Sequence, residues 1–511
     1  MKKWSWIERW KTIEVLARRI LSDQLLSSLS TIIAVRLGLH FPENRWDDLE
    51  RGVTTAAQEL GFPHAEAFAR RLLSAALTQA EIQVLAGHMV VGETYFFREQ
   101  NAFDALQTQI LPEFVLSRRN GGRRLRIWSA GCCTGEEPYS IAMLLDRCVP
   151  DPTWDVTILA TDINPQFLRK AMAGVYSEWS FRNTPEWIKD RYFKKRHDGD
   201  FELSPRIRSR VTFSYLNLAE DVYPSLLNNT NAMDVIFCRN TLMYFAESKA
   251  RGTVENFYRS LVDGGCLIVS PTETSAALFP QFSAAQIAGG WVYRKISDAG
   301  ARSDAGSGST FASPPIAETY QRGTLIAASE PVVAETPDSY EQDDPWLAPD
   351  PLPPLESDLV LRKKHNDGNL ASATARDCAN QGRLTEAIGW CGKAIAADKQ
   401  NPAHYYLLGI VEHEQGHVEA ARKSLTRALY LDPRFVLAHF SLGNIELSQG
   451  RRSRAERHFK NALAMLQRLA PDATVPEAEG LIAERLSETI TAVLASLPRA
   501  GATRARGGST V

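Results

Sequence analysis

Two adjacent carboxylates, Glu136 and Glu137, follow a glycine turn in the stretch LRIWSAGCCTGEEPYSIAMLL, residues 125–145. A short apolar run that breaks into glycines and continues as a helical pattern puts a ligand at the strand's carboxyl end. Acids in the first turn of that helix are stabilised by its dipole but repel a pyrophosphate. The spacing is neither G-x-G-x-x-G nor G-x-x-x-x-G-K-[ST], so a phosphate cradle is poorly matched. These acids suit a ligand whose nearby end is cationic or rich in hydrogen-bond donors. Glu136, directly after the turn, is the candidate partner for such a cation, and Glu137 complements the helix dipole.

S-Adenosylmethionine has those properties: an α-ammonium, a sulfonium and a ribose diol, with no phosphate. A second apolar run, ILATDIN, ends in Asp162, 27 residues beyond Gly135, where an acid can accept hydrogen bonds from both ribose hydroxyls. Taken alone, Asp162 would serve equally as a cap for the helix starting near Pro165. Arg239 and Asn240 end the run DVIFC at the same carboxyl edge, which favours contact with cofactor or substrate. Neither a Cys-His nor a Ser-His-Asp constellation stands out, and the ten histidines form no metal-ligand pattern.

The elements needed to position these residues follow from the hydrophobic patterning. Residues 1–88 carry apolar side chains at three- and four-residue intervals and predict a helical domain. Between 89 and 297, the runs LRIWSA, DVTILATDI, DVIFC and CLIVS alternate with helical patterns beginning near Pro138, Pro165 and Ser248. Such alternation predicts an α/β domain with a mostly parallel, Rossmann-like sheet covered on both faces. Within it, DGDFEL followed by RVTFSY reads as a hairpin. Residues 298–365, rich in Ala, Ser, Gly, Pro, Asp and Glu, read as a flexible linker.

A 34-residue period then begins. Gly382, Gly416 and Gly450 share it, as do Ala387, Ala421 and Ala455, and Ala394, Ala428 and Ala462. The small positions let helix pairs approach closely, as in tetratricopeptide repeats, so residues 366–498 predict an all-α solenoid of three units with a capping helix. Residues 499–511 read as a disordered tail.

TYFFRE, WSAGCCTGEEPYSIA, ATDIN, LNL and FCRNTLMYF occur in the order and spacing of the CheR-type chemoreceptor methyltransferases. Residues 1–297 resemble that family's helical domain and methyltransferase domain, and the repeats resemble those attached to some members. The resemblance implies transfer of a methyl group from S-adenosylmethionine to glutamate carboxylates of methyl-accepting chemotaxis proteins. It implies that Thr94 and Arg98 lie over the cofactor, with Arg98 near the methionine carboxylate or the incoming carboxylate. It likewise implies that Asn217 and Leu218 border the adenine, and that Tyr244 reaches the active site or packs in the core. The family pattern often has Asn where this chain has Gly92, which puts that side-chain contact in doubt. A small β-subdomain within 176–215, rich in Arg and Lys, resembles the part that meets the receptor, and Arg18, Arg19 and Arg36 are candidates for the same surface.

A glutamate carboxylate, with a pKa of about 4.3, is already ionised at neutral pH, so this reaction requires no general base and no metal. The net charge of −2 gives no global attraction for nucleic acid, and neither the Asp/Asn-Pro-Pro-aromatic nor the Pro-Cys motif of base methylation occurs. No run approaches the roughly 18 apolar residues of a membrane span, and the seven cysteines show no zinc spacing. The chain therefore reads as a cytoplasmic protein with reduced thiols, no direct membrane insertion and a protein or peptide partner at its repeats. The competing reading is a non-catalytic repeat scaffold that senses S-adenosylmethionine.

Overall fold

The computed structural model describes residues 20–118, 122–149, 151–296, 356–471, 473–478 and 481–496. Arg18, Arg19 and the tail from 497 lie outside them, as does most of the expected linker.

Four helices open the described chain: α1 (Asp23–Leu37), α2 (Trp46–Glu59), α3 (Ala65–Ser74) and α4 (Gln79–Met89). Their starts are set by local chemistry. Ser22 accepts from the Leu25 N–H, and Thr78 and Glu81 form a reciprocal capping box at α4. Leu26, Leu29, Ile33, Leu49, Val53 and Phe68 are fully buried in the shared core of these helices. That core ends at Met89, and Phe96 opens the next.

Two further short helices, α5 (Gln100–Ala105) and α6 (Leu111–Ser117), pack on the methyltransferase-like sheet. The sheet elements follow as β1 (Arg124–Ala130), α7 (Glu136–Cys148), β2 (Asp155–Asp162), α8 (Pro165–Ala173) and β3 (Val175–Tyr176). Next come α9 (Glu186–Tyr192), β4 (Phe193–Lys195), β5 (Phe201–Leu203), α10 (Pro205–Arg208), β6 (Val211–Tyr215) and β7 (Met233–Phe237). The domain closes with α11 (Glu247–Ser260), β8 (Leu261–Ile268), β9 (Phe282–Ile287) and β10 (Gly290–Lys295). Seven strands form the main sheet in the order β6-β2-β1-β7-β8-β10-β9. Its first five strands are parallel, and β9 and β10 add an antiparallel edge. Because crossover helices cover both faces, β7 is buried along its whole length, with Asp234 its one charged residue.

The β-subdomain is a separate sheet in the order β3-β5-β4. Its core is aromatic: Phe96, Tyr176, Phe181 and Phe193 meet at centroid distances of 4.8–6.4 Å. The hairpin expected from DGDFEL and RVTFSY does not form. Phe201–Leu203 pairs with Phe193–Lys195 instead, and VTFSY runs parallel to β2 in the main sheet. Strand periodicity is the same for either pairing, and burial of Val211 and Phe213 against β2 decides it.

The repeats are three helix pairs, α12 (Glu356–Asn380) with α13 (Leu384–Ala397), α14 (Pro402–Glu414) with α15 (Val418–Leu431), and α16 (Val436–Ser448) with α17 (Arg452–Leu466). α18 (Ala483–Ser496) caps them. α12 begins ten residues before the expected end of the flexible linker, since the stretch ESDLVLRKKH is helical. Gly382, Gly416 and Gly450 turn each pair with φ of 72–85°, and the six periodic alanines are fully buried. A Cβ on Gly443 would meet the Phe459 ring at 2.5 Å, which is why the position stays small. Among the described residues, no helix is long and apolar enough to cross a membrane, and no cluster of His, Cys, Asp or Glu could hold a metal ion.

Candidate cofactor and substrate site

A cleft opens at the carboxyl ends of β1, β2, β6 and β7, roofed by the α4–α5 connection and by the end of α1. Its floor is the glycine turn. Gly131 and Gly135 have φ of 82° and 93°, and a Cβ there would meet Thr241 Oγ1 at 2.5 Å and Ala171 Cβ at 2.8 Å. Side chains at these positions would fill the turn, so glycine keeps the backbone low.

Asp162 lines the cleft from the end of β2. Its Oδ2 accepts from the Cys133 N–H and its Oδ1 from the Asn164 N–H, both at 2.8 Å. Each oxygen keeps a lone pair for a ligand hydroxyl. Burial nevertheless outweighs these amides and pushes its pKa up to about 6.

The two acids of the turn have exchanged their expected places. Glu136 does not line the cleft. It is buried beneath the turn, accepting from Thr134 Oγ1 at 2.6 Å and Ser180 Oγ at 3.0 Å, so it ties the turn to the β-subdomain. Glu137 lines the cleft instead, one step of about 100° further round the helix. Its carboxylate accepts from Ser129 Oγ at 2.7 Å and Arg239 Nη1 at 2.9 Å.

Arg239 organises the opposite wall. Almost wholly buried, it also donates to Glu99 Oε2 at 3.0 Å and to the Arg98 carbonyl. Asn240 Nδ2 meets Glu99 Oε1 at 3.3 Å. Arg98 sits between two left-handed residues, Phe97 and Glu99, with φ of 55° and 56°. The Phe97 N–H is fixed on Ser140 Oγ at 3.0 Å, so the strained turn holds Arg98 at the rim. Arg98 Nη1 donates to the Glu93 carbonyl at 2.5 Å, with a quarter of the side chain exposed.

Thr94, Leu218 and Tyr244 also border the cleft. Asn217 does too, but its amide is committed to the Arg36 carbonyl at 2.8 Å and Glu220 Oε1 at 3.0 Å. Its side chain is therefore bound into the wall, and its carbonyl accepts from the Glu220 N–H at 3.1 Å. A Cβ on Gly92 would meet the Phe167 ring at 2.6 Å, so that ring fills the space of the missing Asn contact.

A match to the family model described as CheR methyltransferase, SAM binding domain, covers residues 92–287. A chemotaxis protein methyltransferase 2 from Vibrio cholerae is 39% identical over 199 residues, covering 39% of this chain and 67% of that one. A probable biofilm formation methyltransferase WspC from Pseudomonas aeruginosa is 30% identical over 431 residues, 83% of this chain and 95% of its own length. The chain belongs to the CheR methyltransferase family. A chemotaxis protein methyltransferase from Borreliella burgdorferi is 32% identical over 254 residues, 49% of this chain and 87% of that protein.

The cofactor of this CheR-family domain is S-adenosylmethionine, and the residues present fit it. The buried Asp162 and the mostly buried Glu137, each with spare lone pairs, line the cleft beside a turn kept open by glycines. The thiols of Cys132 and Cys133 are pushed up by burial and by Asp162, so they stay protonated as small loop residues. Sequence reasoning missed Glu99 and Glu273. Glu273 accepts from the N–H groups of Asn240, Thr241 and Met243 at 2.7–3.2 Å and so fixes the loop after β7. Its signal was slight: an acid at N3 of a Ser-Pro helix start.

Proposed function

We propose that this CheR-family enzyme transfers the methyl group of S-adenosylmethionine to glutamate side-chain carboxylates of a chemoreceptor, in the cytoplasm. The observation that carries this reading is that one cleft is lined by Arg98, a quarter exposed, and by the carboxylates of Asp162 and Glu137. The sulfonium cofactor, when bound, supplies an electrophilic methyl for a one-step displacement. Asp162 would accept from the ribose hydroxyls, Glu137 would meet the ammonium end, and Asn217 and Leu218 would border the adenine. Thr94 adds a polar contact, and Tyr244 closes the mouth over the incoming group. Arg98 orients a carboxylate, for which a guanidinium fork is well shaped. The ionised carboxylate needs no base, so alignment and exclusion of water provide the rate enhancement.

The β-subdomain is the receptor-facing element in this reading. Lys194, Lys195 and Arg196 are exposed along its β4–β5 hairpin. By contrast, Arg206 and Arg210 are spent on the buried Asp146. The hairpin cations suit the acidic helices of a receptor. The relatives named for chemotaxis and for biofilm formation support a receptor-coupled signalling role.

The test is methyl transfer from radiolabelled S-adenosylmethionine to receptor-containing membranes, scored as methanol released by mild base. Base-labile label that disappears in Arg98→Ala and Asp162→Ala supports carboxylate esterification. Cofactor binding without label on any receptor would instead support the sensing scaffold.

A further inference from the structure

Three residues, Leu216, Asn217 and Leu218, form the cleft wall that follows β6. What holds that wall comes from the far end of the chain. Glu220, which fixes the Asn217 amide through Oε1 at 3.0 Å, turns Oε2 toward Arg485 Nη1 of α18 at 3.5 Å. Arg485 Nη2 also donates to the Tyr215 carbonyl at 3.2 Å, and the guanidinium lies 4.1 Å from the centre of the Tyr215 ring. One repeat-domain side chain thus grips the residues on both sides of the wall.

The remainder of the connection to β7 is held by the repeats as well. Leu226 and Leu227 pack against the two apolar clusters of the repeats. The Ala232 N–H donates to the Asn380 carbonyl at 2.9 Å. Beside them, at the amino ends of the strands, Glu414 accepts from Arg124 and Arg126 at the start of β1. Ile410, Glu414, Phe440 and Asn444, from the first helices of successive pairs, face these catalytic-domain residues across a shared cleft. In stacked repeats, first helices line the concave surface that ordinarily takes a peptide.

We propose that the repeat array is docked in cis on its own catalytic domain, with its peptide-type face occupied by the β6–β7 connection, and that Arg485 is a positioning residue for the cofactor wall. The inference rests on the assignment of the cofactor to this cleft. An external partner that takes the concave face would displace the connection and loosen the wall, so the site's affinity reports on the occupancy of the repeats.

The experiment uses the full chain and S-adenosylhomocysteine as the probe, measured by calorimetry, with hydrogen exchange followed across residues 216–232. Failure of the unaltered chain to bind would reject the cofactor assignment itself. If it binds, Arg485→Ala and Glu414→Lys are expected to weaken binding by about 5- to 10-fold, the loss of one or two charge-assisted contacts, and to raise exchange at 216–220. Arg485→Lys, which keeps the charge but not the fork, is expected to fall between. The two variants act from different helices, so a folding defect in one leaves the other informative. Affinity within twofold of the unaltered chain, whether or not exchange rises, would overturn the proposal. Weaker binding without increased exchange at 216–220 would overturn it equally.

Discussion

Lowering the pH from 7.5 to 5 should weaken cofactor binding through one residue, Asp162. Burial holds its pKa at about 6 even though the amides of Asn164 and Cys133 favour the anion. A ligand whose hydroxyls need the carboxylate as acceptor must first expel the proton. Below the pKa, affinity then falls about tenfold per pH unit, so binding at pH 5 should be roughly 10-fold weaker than at the plateau above pH 7.

Stability moves in the opposite sense. The folded-state pKa lies above the unfolded value of about 3.9, so the contribution of Asp162 to the ligand-free fold is greatest below pH 4 and is lost as pH rises through 6. The difference between a pKa of about 3.9 unfolded and about 6 folded corresponds to roughly 3 kcal/mol. Calorimetric titration of S-adenosylhomocysteine from pH 5 to 8 at fixed ionic strength, with denaturant unfolding alongside, measures both slopes. Asp162→Asn should flatten the binding profile at a low affinity. Binding that is constant across the range would refute the reasoning, and a slope that survives in Asp162→Asn would move the titration to Glu137, whose pKa burial also raises.

Other outcomes follow from the same geometry. Glu137→Gln should cost about tenfold in S-adenosylhomocysteine affinity because the cleft loses a charged acceptor, whereas Glu136→Gln, beneath the turn, should stay within about threefold; calorimetry separates them. Gly135→Ala places a Cβ 2.8 Å from Ala171 Cβ at a φ of 93°, and should destabilise the fold by about 2–4 kcal/mol, read as a lowered thermal midpoint. Arg206 makes a bidentate pair with the buried Asp146 at 2.6 and 2.7 Å. Arg206→Ala should cost about 1–3 kcal/mol and raise hydrogen exchange in the β-subdomain, with Arg210 at 3.3 Å limiting the loss.

The strands at the centre of the sheet and the helix pairs were legible because their signals are local and redundant. β1, β2 and β7 each carry a short apolar run with few interruptions, and six buried alanines repeat at a period of 34 residues. What failed depended on contacts distant in sequence. Glu136 and Glu137 are equivalent in type and dipole. Which one faces the cleft is set by Ser129 on β1 and Arg239 after β7, 102 residues away. VTFSY has the alternation of a hairpin strand, but its partner is β2, about 50 residues earlier. Asn217 lines the cleft, but the commitment of its amide to Arg36 and Glu220 depends on the packed N-terminal domain. The contact of Arg126 with Glu414, across 288 residues, has no sequence signature at all.

The charge pattern of the cleft follows from the reaction proposed for it. A carboxylate and a sulfonium neutralise each other as the methyl moves, so the transition state carries less charge than the reactants. An uncompensated acid beside the sulfonium would stabilise the reactants more than the transition state and slow the step. Arg239 lies between Glu137 and Glu99 and removes most of that field, while leaving Glu137 able to accept a hydrogen bond. Asp162, whose carboxylate accepts from the Cys133 and Asn164 amides, stands at the end of β2, to which the proposed reading assigns the ribose. The acids of the glycine turn are therefore compatible with rapid transfer because Arg239 divides the cleft into an anchoring part and a nearly neutral reacting part, and removing Arg239 should reduce turnover more than cofactor affinity.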